Sequence, residues 1–201
     1  GLPVRIAHHA FDAALTLGDA LNGSVMLMAD ATLDAGTGTV SLRNLAAGAH
    51  DLTVTADEIE LLGGADAVSG TGALLLQPKT AQQDIEIAGP GGTAALDLTA
   101  AEFASLRNGF SNITIGRPDG AGTIRVAGPV VFGDPVTLRA PGAGGRIVVD
   151  AQLAGADGAS ITLDGFDPTV LGASIATAGG SIGIGGSVVL DGHVTLDTTG
   201  G

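Results

Sequence analysis

The feature that most constrains this chain is a succession of short aliphatic alternations cut by Gly, Pro, Asp and Asn. Asn112-Ile-Thr-Ile115, Thr123-Ile-Arg-Val126, Val136-Thr-Leu138, Arg146-Ile-Val-Val149, Ser160-Ile-Thr-Leu163, Ser181-Ile-Gly-Ile184 and Val194-Thr-Leu196 share one pattern. Each puts two aliphatics on one side of an extended backbone and a small or polar residue on the other, as a half-buried strand requires. Successive onsets at Ile113, Ile124, Val136, Ile147 and Ile161 lie 11, 12, 11 and 14 residues apart. That spacing accommodates a strand and a bend but leaves no room for a connecting helix.

The chain also resembles itself. Residues 124–139 align without gaps on 182–197, with identities at Ile124, Gly128, Val130, Val131, Val136, Thr137 and Leu138, an offset of 58 residues. Residues 23–38 align on 186–201 at an offset of 163, sharing Gly23, Ser24, Val25, Leu27, Thr32, Leu33, Asp34 and Gly38. Nested periods of this kind are expected of a segment cut from a longer array, with a unit of about 163 residues and a sub-repeat of about 58.

Repeated short strands without long helices have two physical solutions, a parallel β-solenoid or a string of antiparallel sandwiches. With 5 Phe and no Trp or Tyr, the chain lacks the aromatic anchors common in sandwich cores, so its interior must be aliphatic. Its 34 Gly suit tight corners and a narrow interior. The expected fold is therefore all-β: a right-handed parallel β-solenoid (β-helix) running through residues 1–201 as one continuous segment. The hand follows the general preference of parallel crossovers. Eight or nine coils of some 20 to 25 residues would give a rod of roughly 40 Å at about 4.8 Å per coil. One helical insertion is expected over residues 99–108, near 100–107. Thr99 is its N-cap, Glu102 completes a capping box, and Leu98 with Phe103 forms a hydrophobic staple. Phe103 and Leu106 should lie on the solenoid wall, and Asn108 or Gly109 should supply a left-handed stop.

Charge narrows the partners. Eight Lys and Arg against 21 Asp and Glu leave a net charge of −13. Phosphate binding rests on clustered cations, so neither nucleic acid nor an anionic membrane surface is expected as a partner. No run approaches the length of a membrane span, and membrane insertion is not expected. The absence of Cys excludes disulfides and thiolate metal sites.

A family likeness rests on an ordered set of motifs: Gly70-Thr-Gly-Ala-Leu-Leu-Leu-Gln-Pro78, Asp84-Ile-Glu-Ile-Ala-Gly89, Leu96-Asp-Leu-Thr-Ala-Ala-Glu-Phe103, and Gly109-Phe-Ser-Asn-Ile-Thr-Ile-Gly-Arg117. Asp134-Pro-Val-Thr-Leu138, Ala159-Ser-Ile-Thr-Leu-Asp164 and Leu190 to Thr199 follow in the same order. Over about residues 25–201 the chain resembles the modules of giant filamentous-haemagglutinin-like secreted repeat proteins of Gram-negative bacteria. The resemblance implies a β-solenoid stalk or adhesin in an extracellular or cell-surface filament, with no catalytic residues. Its implied partners are copies of itself, by stacking or chain continuity, and a host, cell or matrix surface.

Candidate sites are sparse. Carboxylates stacked at corners could share Ca²⁺, a hard ion that takes oxygen ligands, and Asp157, Asp164 and Asp167 are the candidate set. No other cofactor is expected. Gly179-Gly-Ser181-Ile-Gly183 fits the nucleophile-elbow pattern, but that motif needs a strand, a sharp turn and then a helix, whereas Ser181 opens an alternating strand. His8, His9, His50 and His193 are scattered, and Asn22 and Asn112 open glycosylation sequons by pattern alone. A polysaccharide-acting β-helix enzyme would need a groove of acids and bases with aromatic platforms, and the cations here are dispersed singly. An ice-binding face would need pairs such as Thr37-x-Thr39 and Thr53-x-Thr55 to stack coil upon coil, and they do not recur at either period.

Overall fold

A computed structural model describes residues 4–7, 14–18, 23–92 and 96–199. They form the expected all-β parallel solenoid, of about eight coils with one short helix. The first wall stacks β1 (Val4–Ala7), β4 (Ala31–Leu42), β6 (Leu52–Leu61), β8 (Ala73–Gln77), β11 (Asn112–Gly116), β14 (Val136–Ala140), β17 (Ile161–Gly165) and β20 (Ile182–Ile184) in that order. A further strand, β2 (Leu15–Leu17), pairs with the later part of β4. On the second wall the order is β10 (Leu96–Leu98), β9 (Ile85–Ile87), β12 (Thr123–Val126), β15 (Arg146–Val149), β18 (Thr169–Leu171) and β21 (Val188–Leu190). The third wall is split. One part is β3 (Val25–Met26), β5 (Leu45–Ala46) and β7 (Val68–Ser69); the other is β13 (Val130–Phe132), β16 (Leu153–Gly155), β19 (Ile175–Thr177) and β22 (Leu196–Asp197).

Alternation decides which residues enter the core. Leu33, Val54, Leu76, Ile115, Leu138 and Leu163 pair in register from strand to strand along the first wall, and all are fully buried. Ala31, Leu52, Leu74, Ile113, Val136 and Ile161 make a second inward row. Each such Leu or Ile contributes on the order of 1.5–3 kcal/mol relative to leaving it in water. Corners are fastened by short oxygen-bearing side chains that accept a backbone N–H from another coil. Asp51 Oδ1 accepts from Ala73 N at 2.7 Å, Asp84 Oδ1 from Thr123 N at 2.7 Å, and Ser160 Oγ from Ser181 N at 3.0 Å. Buried Asp134 takes two such bonds, from Gly109 N at 2.8 Å and Phe110 N at 3.0 Å. At Gly116, with φ +105°, a Cβ would collide with the carbonyl oxygen of Arg139 in the next coil, so the wall closes there only around glycine.

Coil length varies while register does not. Steps along the first wall from Ala31 to Leu52, Leu74, Ile113, Val136, Ile161 and Ile182 take 21, 22, 39, 23, 25 and 21 residues. The 39-residue coil visits the second wall twice, because β10 pairs parallel with β9 and also packs against β6. Next comes α1 (Ala100–Phe103), capped as expected: Thr99 Oγ1 accepts from Glu102 N, and Glu102 Oε2 accepts from Thr99 N at 2.8 Å. The helix is shorter than the expected 99–108. It ends at Ala104, in right-handed conformation, and the stop expected at Asn108 or Gly109 is not used. The reason is competition from the third wall. Val68 N donates to Ser105 O at 2.9 Å and Arg107 N donates to Val68 O at 2.8 Å, so backbone that would prolong the helix is taken up by β7. Phe103 and Leu106 do pack on the core, and the Phe103 ring meets Phe132 edge-on at 5.2 Å.

The internal matches join different walls. Ile124 lies on the second wall and its match Ile182 on the first; Leu33 lies on the first and its match Leu196 on the third. Two coils, from Val136 to Ile182, span 46 residues, so the 58-residue offset amounts to two coils and two further walls, from β18 past β19 to β20. A strand-and-bend unit fits any wall, because all three present the same demand of aliphatic in and polar out.

Candidate functional site

The structure does not bring Asp157, Asp164 and Asp167 together. Asp157 lies in the turn after β16, where its Oδ2 accepts a hydrogen bond from Asn108 Nδ2 at 3.0 Å. Asp164 stands on β17, roughly 10 Å of extended strand beyond the start of that element. It faces Arg139 across the wall, Nε to Oδ2 3.9 Å, in a shallow depression of about 400 Å³ lined also by Thr114, Thr137, Thr162 and Gly185. Asp167 sits at the next corner, with its backbone N–H on Gly145 O at 2.9 Å. Oxygen ligands of one calcium ion must all approach to about 2.4 Å, which this arrangement does not provide. No group of three metal-ligating side chains occurs among the described residues. At other corners Asp51, Asp84 and Asp134 accept backbone N–H groups, a role that favours Asp in turns without any ion.

The other sequence candidates are likewise separate. Ser181 precedes β20 and not a helix, and its hydroxyl bonds Ser160 Oγ at 3.1 Å. His50 Nδ1 lies 3.6 Å from Asp30 Oδ1, His193 is exposed in the last coil, and His8, His9 and Asn22 fall outside the described residues. Asn112 bonds Thr114 Oγ1 at 2.8 Å within its own strand. Threonines do align: Thr32 and Thr53, then Thr114, Thr137 and Thr162, occupy one outward row. Leu75 interrupts that row and Gly183 ends it. Thr55 of the expected Thr53-x-Thr55 pair is buried and accepts from Gln77 Nε2 at 2.9 Å, so it forms no second exposed file. Because the coils differ in length, the row has no fixed period in the sequence.

Two groupings are not visible in the sequence alone. The first is an acidic seam where β10 meets β6. Asp97 of β10, Glu102 of α1 and Glu60 of β6 all lie near enough to Glu58 of β6 to act on its charge, and Glu86 of β9 pairs in register with Asp97. Asp97 is buried, Glu60 accepts from Ser41 Oγ at 2.8 Å, and Glu102 Oε1 accepts from Leu61 N at 3.1 Å. Burial, then the charges of Asp97, Glu102 and Glu60, push the Glu58 carboxyl up to about 7. The seam can therefore hold a proton near neutrality. Outward Glu58 and Glu60 were legible in the alternation of β6, but the strand that confronts them was not.

The second grouping is the last coil. Ile182 and Ile184 continue the first wall's inward rows, Val188 and Leu190 pair with Thr169 and Leu171, and Leu196 pairs with Ile175. Leu171 and Ile175 are fully buried, whereas Leu190 is 62% exposed and Leu196 49%. Among the described residues, the strands of this coil therefore have a paired neighbour on one side only. Bare strand edges are templates for another strand. No helix of the described residues is long and apolar enough to cross a membrane. Neither a protein-family model, nor a curated protein, nor a solved structure matches this chain.

Proposed function

We propose that the chain is a structural, adhesive β-solenoid segment of an extracellular or cell-surface filament of the filamentous-haemagglutinin-like kind, acting as a stiff spacer that is prolonged coil by coil. One observation carries this reading: inward aliphatic rows run in register from coil to coil through the stack. Such a rod grows by adding further coils to its end, supplied by continuing chain or by another copy. The outer surface, at net charge −13, keeps neighbouring rods apart in solution.

The test is a tandem of two copies joined in one chain, measured by small-angle scattering and electron microscopy beside the single copy. A spacer predicts that rod length doubles from roughly 40 to roughly 80 Å at constant cross-section, at about 4.8 Å per coil. A compact particle of doubled width would overturn the reading.

A further inference from the structure

The three walls do not carry the same number of strands through the 39-residue coil. Between β6 and β11 the first wall has one strand, β8, paired in register on both sides. The second wall has two strands between the later part of β6 and β12, because β10 packs against β6 and pairs with β9, which in turn pairs with β12. The third wall has one crossing between β7 and β13, residues 105–107, bonded back to Val68. One wall is thus taller than another by a strand, about 4.8 Å. Interrupted ladders take up the surplus. Among the described residues no backbone pairing joins β6 to β10, and none joins residues 105–107 to β13, whose partner is β16. The first wall, by contrast, is laddered without a break from β4 to β14. Side chains bridge both interruptions. On the second wall Glu102 Oε1 accepts from Leu61 N and Ser105 Oγ donates to Leu61 O, both at 3.1 Å. On the third, Phe103 meets Phe132 edge-on, and a cavity of about 70 Å³ remains between Phe103, Leu106, Val131 and Phe132. Both interruptions lie in the middle of the chain.

We infer that the 39-residue coil is a bending joint: the coils before it and the coils after it tilt about β8 on the first wall, parting β6 from β10 and residues 105–107 from β13. A segment held by a few side-chain bridges opens at lower free energy than one held by a full backbone ladder, so bending concentrates where the ladders stop. Charges on the parting faces bias the joint. β6 presents Glu58 and Glu60, β10 Asp97, α1 Glu102, and β9 places Glu86 in register with Asp97. From β4 the residues in register with Glu58 and Glu60 are the neutral Thr39 and Ser41. The cations near these elements are otherwise engaged. Arg125 of β12, in register with Glu86, bonds Asp150 Oδ2 at 2.7 Å, and Arg43 reaches Leu62 O just beyond β6. When Glu58 is protonated the two faces close; when it is charged, Asp97 repels it across the gap and the joint opens. The Glu58 carboxyl is held up at about 7 by burial and then by Asp97, which puts this change around neutrality. Such a rod is stiff along each run of regular coils and yields at one place. The inference goes beyond the spacer reading and does not depend on it.

The chain contains no Cys, so paired spin labels can be placed without background. Ala46→Cys with Ala154→Cys puts labels at outward positions of the third wall, on β5 and β16, either side of the interruption. Thr32→Cys with Thr137→Cys joins the same two coils along the unbroken first wall, four strand steps or about 19 Å apart. Pulsed electron–electron resonance on each labelled protein, with circular dichroism to confirm the fold, reads the distance distributions at pH 5.5 and pH 8. The third-wall distribution should be about twice as broad as the first-wall one. Its mean should lengthen by about 2–4 Å from pH 5.5 to 8, less than one strand spacing, while the first-wall mean stays put. Adding Glu58→Gln to the third-wall pair should abolish that lengthening. Ser69→Cys with Ala176→Cys spans the same interruption and repeats the measurement should the first pair fail to fold. Equal widths on the two walls, or equal lengthening of both, overturn the joint. Lengthening that survives Glu58→Gln overturns the part assigned to the acidic faces. A rod found stiff at this coil would leave the spacer reading standing, since the tandem of two joined copies would still double in length.

Discussion

The coils from Val136 to Ile182 and the long coil from Leu74 to Ile113 solve the same packing problem with different chemistry. In the former, each turn of 25 or 21 residues contributes one short strand to each wall, and Arg139 and Asp164 on the outer surface face each other across the coils as opposite charges. In the latter, 39 residues pass the second wall twice, and the additional strand is charged. Both bury their aliphatics equally well: Leu138 and Leu163 are matched by Ile87, Leu96 and Leu98. The difference lies outside the core. Adding β10 brings Asp97 against Glu58, so the inserted strand carries an electrostatic cost. The alternation tolerates insertion easily, and the outward charges then decide how firmly the insertion is held.

The largest expected effect belongs to the regular coils. Leu138 is fully buried between Ile115 and Leu163 of the same row. Leu138→Ala should cost about 3 kcal/mol by lost transfer energy and a residual cavity, and lower the melting temperature by roughly 6–12 °C. This row is aliphatic throughout, so the loss should be the same at pH 5.5 and pH 8. A loss that changes strongly between those conditions would show that core and seam are coupled and would break the comparison.

Next comes the long coil, with opposite sign and a pH dependence. Folding lifts the Glu58 carboxyl from its ordinary 4.5 to about 7, so between these values the folded chain holds a proton that the unfolded chain has released. Stability therefore falls as pH rises from about 4.5 to about 7 and is flat above that range. Glu58 is only half-buried, and solvent screening reduces the full effect to about 1 kcal/mol. Glu58→Gln removes the charge and keeps the size. At pH 8 it should stabilise by about that amount, and at pH 4.5 it should change little. Thermal melts of both proteins across pH 4.5 to 8 decide the matter, since parallel curves would mean that the seam exerts no such strain.

This contrast also marks how far residue patterns reach. Regular coils were legible because Ile113, Val136 and Ile161 each start an alternation whose meaning does not depend on what it pairs with. The capping box at Thr99 and Glu102 was legible for the same reason, being a local hydrogen-bond exchange. The helix's early end was not, because it is set by Val68, which is distant in sequence. Nor was the seam, since Asp97 meets Glu58 only through a second passage along one wall, and no local spacing encodes that return. The aspartates proposed for calcium illustrate the converse. Asp157-Gly158 and Asp164-Gly165 look alike as dipeptides, yet one is a turn and the other the end of a strand.

The smallest effect should come from the outer surface of a regular coil. Asp164 is partly exposed and lies 3.9 Å from Arg139, a distance at which a solvated pair contributes well under 1 kcal/mol. Asp164→Asn should consequently shift the melting temperature by no more than about 1–2 °C. Millimolar calcium against a chelator should move the unmodified chain and Asp164→Asn by equal amounts, because among the described residues no group of metal-ligating side chains converges on this one. A calcium-dependent rise in the unmodified chain that Asp164→Asn abolishes would show that the depression beside Arg139 recruits an ion, and that the regular coils carry chemistry beyond solvation. Equal responses would leave the long coil as the part of the rod where outward charge has a measurable energetic consequence.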